Sequence, residues 1–241
     1  MKAAVLPDRG VVKVAGEDAR RLLNGLLTAD VGTVAPGAAR FAALLTPQGK
    51  IVADCIVAEA PPNDGGGFFL DCPRALASRL VDRLNFYKLR ARAIIEDLSE
   101  TLAVLAAWGG DGTTRYGLAY PDPRLPALGL RVMLPAHLAD KAIAELGAER
   151  VDSESYEAHR IALGVPSGGI DFGYGDAFPH EADMDQLEGY FHSETGKEPQ
   201  PEIHLRPDRR AKYDIVARVL AAAQRNHMKK IGFVNVAEFK D

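Results

Sequence analysis

The sequence predicts an α+β fold: two α/β units, residues 1–100 and 101–187, followed by a divergent linker and a β-α-β tail over 188–241. Three observations carry this. Apolar runs of strand length alternate with stretches of helical period, some strands are joined by tight turns rather than helices, and the charge balance changes sign near residue 199. Residues 199–241 hold nine Lys/Arg against five Asp/Glu, whereas residues 1–198 carry net −8. With 241 residues, 47% of them hydrophobic and 26% charged, the chain is globular in composition and long enough for two domains.

Taken in order, Val11, Val12 and Val14 form a β-branched strand that Gly16 ends. Glu17 and Asp18 then place acids in the first turn of a helix carrying Leu22, Leu23, Leu26 and Leu27. Residues 41–45 and 51–57 flank Thr46-Pro47-Gln48-Gly49, with Pro and Gly where a type I turn wants them, and so form a hairpin. Residues 61–67 are a loop and 68–70 a strand, and Pro73 opens a helix with Leu76, Leu80, Leu84 and Tyr87 on one face. Residues 90–96 alternate charged and apolar groups as a half-exposed strand does. Lys88, Arg90 and Arg92 then share a face, open to a glutamate tail, to phosphate or to solvent.

In the second unit, residues 102–108 and 115–120 are strands around the Gly-Gly-Asp-Gly turn at 109–112, and 130–134 is a third. Residues 136–146 form a helix. Asp152 or Ser153 caps the next one, which runs through Tyr156 and Arg160 and ends at Gly164 with Pro166 beyond.

Several function classes are excluded. No apolar run approaches the ~20 residues of a membrane span, and no signal-peptide core follows Lys2, so no membrane span and a cytoplasmic location are expected. Cys55 and Cys72 are too few for a disulfide scaffold or an all-thiolate metal site and are expected as buried structural thiols. The six histidines show no metal-ligand spacing, so no metal is expected. Gly65-Gly66-Gly67 lacks the Lys-Ser/Thr of a phosphate loop, and no nucleophile elbow is present.

The blocks Asp8-Arg9-Gly10-Val11-Val12, Leu22-Leu23-Asn24-Gly25-Leu26-Leu27-Thr28-Ala29-Asp30-Val31 and Leu44-Leu45-Thr46-Pro47-Gln48-Gly49-Lys50 resemble the YgfZ-type folate-binding proteins. These are relatives of the glycine-cleavage T protein (GcvT), an aminomethyltransferase. Tyr87-Lys88-Leu89-Arg90, Arg160-Ile161-Ala162-Leu163-Gly164-Val165-Pro166 and Phe178-Pro179-His180-Glu181 continue the resemblance, which covers about residues 5–187. It departs at 188–200, where the family's Lys-Gly-Cys-Tyr-x-Gly-Gln-Glu loop is absent and no cysteine stands. Too little chain follows for the family's small β-barrel. Residues 199–241 instead resemble the C-terminal β-α-β part of ExbD/TolR proteins, without the anchoring helix those require.

The resemblance implies two units of the GcvT/YgfZ type holding tetrahydrofolate or a one-carbon derivative in a cavity between them. It implies a role in iron-sulfur cluster assembly or repair and, through it, tRNA modification, with iron-sulfur proteins or tRNA-modifying enzymes as partners. Two alternatives stay open: an interaction protein working through the ExbD/TolR-like tail, and a folate-dependent aminomethyl or methyl transferase. Asp54 aligns with the acid that aminomethyltransferases place near the reactive nitrogens of the folate; otherwise it is a solvent-facing strand carboxylate. Tyr156, one turn before Arg160, falls on one aromatic of the folate slot or packs in the core, and Arg9 stands near the place of the other. Asn24 and Gln186 pair with the pterin edge or are surface amides.

Overall fold

Two five-stranded sheets organise the first part of the chain. The computed structural model describes residues 1–179 and the backbone of 203–205 and 231–233. The chain divides into two units, Met1–Asp183 and Met184–Asp241.

The first sheet is antiparallel throughout, in the order β3 (Ala39–Leu45), β4 (Ile51–Glu59), β5 (Phe68–Pro73), β2 (Arg9–Ala15), β6 (Ile94–Asp97). The expected hairpin joins β3 to β4, closed by the Gly49 N–H donating to the Thr46 carbonyl at 2.8 Å. The second sheet runs β10 (Glu149–Arg150), β1 (Lys2–Leu6), β7 (Leu102–Trp108), β9 (Leu130–Pro135), β8 (Leu118–Pro121). Its first strand comes from the N-terminus, a position with no local strand signal because two alanines stand between Lys2 and Val5. Pairing with β7, about a hundred residues away, makes it a strand: Ala4 lies opposite Ala106.

β7 and β8 are not neighbours, since β9 lies between them and pairs with both. The turn before β9 requires a glycine: Gly129 has φ +83°, and a Cβ there would meet the Ala107 carbonyl oxygen at 2.1 Å.

Four helices complete this unit: α1 (Ala19–Leu26), α2 (Ala77–Lys88), α3 (Ala139–Glu145) and α4 (Ser153–Ala162). The Asp18 carboxylate does not cap α1; it accepts the Arg92 N–H at 2.8 Å. Asp152 does cap α4, accepting from Ser155 N at 2.8 Å, and Gly164 ends that helix at φ +71°. The expected strand over 90–96 is displaced. α2 continues to Lys88 and β6 starts at Ile94, so Lys88, Arg90 and Arg92 share no strand face, and Arg92 pairs with Glu17 at 2.6 Å.

Strand alternation sets the layers. Val12, Val14, Cys55, Leu70 and Cys72 face outward from the first sheet and bury Leu23 of α1 with Leu80 and Leu84 of α2. Each such fully buried leucine contributes about 1.5–3 kcal/mol. Val11, Ile56 and Phe69 face the other way, against Leu6, Val104, Trp108 and Met133 of the second sheet, and α4 adds Tyr156 to this inner core. Leu105, Val132 and Leu134 pack on Ala142 and Ile143 of α3. The layers are therefore helices, sheet, sheet, helix, a mixed α/β fold with no closed barrel among the described residues.

In the second unit β11 (Ile203–Leu205) and β12 (Ile231–Phe233) pair in parallel, with Ile203 opposite Ile231. Parallel neighbours need a crossover of about a dozen residues or more, and residues 206–230 supply that length. The helix expected there lies outside the described residues. Among the described residues no helix is long and apolar enough to cross a membrane.

Candidate functional site

The inner face between the two sheets carries charge as well as apolar groups. β5 reads Phe-Phe-Leu-Asp-Cys-Pro, so the alternation that turns Leu70 and Cys72 outward turns Phe69 and Asp71 inward. On β9 the same rule turns Arg131 inward with Met133. Asp71 accepts from Arg131 Nη1 at 2.7 Å and from Arg9 Nε at 2.6 Å, while Arg9 Nη2 reaches the Asp71 carbonyl oxygen at 2.8 Å. Asp122 accepts from Arg131 Nε at 2.9 Å and from Arg124 Nη2 at 2.8 Å. The Tyr156 hydroxyl completes the network, accepting from Arg131 Nη2 at 3.1 Å and Arg124 Nη2 at 3.2 Å.

Burial alone opposes these charges, and their partners prevail. It disfavours the Arg131 guanidinium, yet Asp71, Tyr156 and Asp122 raise its pKa. It also pushes the Asp122 carboxyl up, but Arg131 and Arg124 hold it well below the usual carboxylate range. Three guanidiniums face two carboxylates here, and Asp54 supplies a further negative charge that helps hold Arg9 protonated.

Asp54 sits on the inward face of β4, 4% exposed, with its Oδ1 accepting from Tyr174 Oη at 2.8 Å. Burial, then the Asp54 charge, push the Tyr174 phenol upward, so it stays protonated and remains the donor. Tyr174 belongs to a segment tied to the start of β4: Gly175 N donates to the Ile51 carbonyl at 2.7 Å, and Ile51 N to the Ala177 carbonyl at 2.9 Å.

Of the expected site residues, Arg9, Asp54 and Tyr156 all belong to this inner face. Tyr156 is buried, its ring edge-on to Trp108 with centroids 5.4 Å apart. Arg160, although on the same helix, is engaged by Glu157 at 2.9 Å and Asp171 at 2.6 Å. Asn24 is exposed on α1, across the first sheet from Asp54, and accepts from Gly32 N at 3.3 Å. Gln186 lies outside the described residues. A groove of about 640 Å³ beside Pro7, Arg150 and Ser153, and a cavity of about 220 Å³ beside Leu44, Pro47 and Tyr87, both exclude Asp54 and Tyr156.

Asp71, Asp122, Arg124, Arg131 and Tyr174 are absent from the sequence expectations. A usable signal exists for two of them: a lone Asp in Phe-Phe-Leu-Asp-Cys-Pro and a lone Arg in Leu-Arg-Val-Met-Leu-Pro are charges inside core strands, which must be paired. Cys55 and Cys72 are buried as expected, and they face the opposite, outer core. Burial pushes both thiols up, Cys72 to about 12. Among the described residues no cluster of three or more His, Cys, Asp or Glu is placed to hold a metal ion.

Residues 8–113 match the family model of the GCVT N-terminal domain. The GCVT match contains Arg9, Asp54 and Asp71. A solved glycine cleavage system aminomethyltransferase T from Bartonella henselae superposes with a TM-score of 0.60 at 18% identity, over 74% of this chain and 55% of that one, and so shares the fold. The iron-sulfur cluster assembly factor IBA57 homolog, mitochondrial, of Mycosarcoma maydis is 34% identical over 201 residues, 78% of this chain and 49% of that protein. The protein of the same name from Pyricularia oryzae is 31% identical over 187 residues, 75% of this chain and 47% of its own. The chain thus spans about half the length of these curated relatives. Residues 156–238 match the family model of the biopolymer transport protein ExbD/TolR.

Proposed function

We propose that this chain binds a reduced folate, tetrahydrofolate or a one-carbon derivative, and acts in iron-sulfur cluster assembly or repair and thereby in tRNA modification. The observation that carries this is Asp54, a carboxylate turned to the inner face of a sheet inside the GCVT-matching segment and held, among the described residues, by one neutral phenol donor, Tyr174. The residues fit the ligand's chemistry. A pterin edge offers N–H groups, and the Asp54 carboxylate can accept from them in place of Tyr174. Arg9, kept charged by Asp71, supplies positive charge beside it for an acidic tail. When bound, the folate supplies one-carbon chemistry; Asp54 orients it and holds or passes a proton at its carboxylate oxygen.

The names of the fungal relatives support the cluster-assembly part, with iron-sulfur proteins and tRNA-modifying enzymes as the proposed partners. Those names also say mitochondrial; the cytoplasm proposed for this chain is a reducing compartment suited to the same chemistry. The test is rescue of iron-sulfur enzyme activity in cells lacking their own such factor. The chain alone, without the family's cysteine loop, is expected to fail, and the chain joined to the remaining half of a fungal relative is expected to succeed. Failure of the joined protein overturns the proposal, as does full rescue by its Asp54→Asn form.

A second reading, an interaction protein working through its tail, is favoured by the ExbD/TolR match and by the parallel pairing of β11 with β12. Deleting residues 199–241 separates the two: loss of partner binding with folate binding intact assigns the interaction to the tail. A transferase activity is read directly from turnover of a one-carbon folate.

A further inference from the structure

The C-terminal end of α2 presents a surface that the folate proposal leaves unused. Phe86 is 72% exposed, Leu89 88% and Ile94 62%, so three of the five large apolar side chains exposed among the described residues fall in one short stretch. Leu89 is also the one non-glycine residue with positive φ among the described residues, at +48°. A bulky side chain pays for that backbone conformation with strain, and glycine is the ordinary occupant of a helix C-terminus of this kind. That backbone holds an apolar side chain out in water, where it buries no core surface.

The surroundings are basic. Residues 77–92 hold Arg79, Arg83, Lys88, Arg90 and Arg92 against Asp82 alone. Arg92 is paired, but the Arg79, Arg83, Lys88 and Arg90 side chains form no ion pair or hydrogen bond among the described residues. Arg79, Arg83 and Phe86 repeat at helical spacing on α2 and form one stripe, with Lys88 and Arg90 at its C-terminal end. Beside it lies the cavity of about 220 Å³, lined by apolar Leu44, Leu45, Pro47 and Val52, by polar Thr46, Gln48 and Arg83, and by Tyr87, whose ring lies 5.2 Å from that of Phe86.

We propose that this stripe and cavity dock an acidic protein segment that inserts a bulky apolar side chain. Unpaired guanidiniums select negative charge, and a cavity half of whose lining is leucine, valine and proline takes an apolar anchor, with Thr46 and Gln48 left to meet its polar flank. Single-stranded RNA fits less well: Phe86 offers a ring for a base to stack on, but Leu89 and Ile94, also exposed in the same patch, offer none and suit an apolar partner side chain. The surface lies on the outer, helix-covered side of the first sheet, away from Asp54, and stands whether or not folate binds.

The test uses the full chain and a labelled peptide of glutamates with leucines at every third and fourth position, followed by fluorescence anisotropy. A lysine counterpart of the peptide and a single-stranded RNA of equal charge are the comparisons. The acidic peptide is expected to bind saturably and the lysine peptide not at all. Leu89→Gly and Arg83→Glu are each expected to weaken binding by about tenfold or more, as truncating an anchor does. Leu89→Gly is expected to keep or raise the melting temperature, because glycine suits the backbone there. Binding unaffected by either substitution overturns the proposal, and so does RNA binding as tightly as the peptide. Self-association that Leu89→Gly abolishes assigns the surface to a second copy and overturns it as well.

Discussion

Arg131 on β9 donates to Asp71 on β5 at 2.7 Å, so a buried ion pair joins the second sheet to the first. Both side chains are almost fully excluded from water, and each has a further partner, Asp122 for Arg131 and Arg9 for Asp71. Such a network is costly to build and costlier to break.

Arg131→Met is expected to cost about 3–5 kcal/mol, because it leaves Asp71 and Asp122 without their shared cation. Adding Asp71→Leu is expected to cost less than the sum of the two single changes, since partners in one network are coupled. Urea unfolding followed by circular dichroism measures both. A loss below about 1 kcal/mol for Arg131→Met would mean that water or rearrangement replaces the pair.

The same network predicts a pH dependence. Asp122 has its folded pKa held below the unfolded value of about 3.9. Its contribution is therefore complete above about pH 5 and is lost as pH falls through the folded pKa. Asp122→Asn is expected to flatten the fall of stability below about pH 5. Part of the slope persists, because backbone N–H donors hold Asp18 and Asp171 low as well. An unchanged slope would remove Asp122 from the account.

Cys55 and Cys72 are expected to resist an aromatic disulfide reagent at neutral pH in the folded protein and to react together on unfolding in urea. Burial raises both thiols, Cys72 to about 12, so almost no thiolate is present. Reaction in the native state at the unfolded rate would show that the outer core opens readily.

Local chemistry made part of this structure readable. Pro47 and Gly49 specify the turn between β3 and β4, Asp152 and Gly164 bracket α4, and Leu80 and Leu84 form the buried face of α2, although that helix starts at Ala77, after Pro73 has ended β5 and Leu76 has been left outside it. Pairings between distant segments were not readable in the same way. Lys2–Leu6 is a strand because β7 and β10 flank it, and Asp71 and Arg131 meet because two sheets stack. Asp54 could be proposed by resemblance, but Tyr174 could not, since only the fold brings a residue 120 positions away onto it.

Tyr174→Phe tests that contact. It leaves a buried carboxylate without its donor, so stability is expected to fall by about 1–3 kcal/mol. Affinity for reduced folate is expected to rise severalfold, because the ligand no longer competes with the phenol. Weaker folate binding by this variant would make Tyr174 a part of the binding surface and not a competitor.

The most direct test of the account is calorimetric titration of tetrahydrofolate into the wild-type chain and into Asp54→Asn, which keeps the shape and removes the charge. The account predicts binding well below about 1 mM for the wild type and at least about tenfold weaker binding for the variant, with unchanged circular dichroism. No heat from the wild type up to about 1 mM, or equal affinity within about twofold for the two proteins, would contradict it.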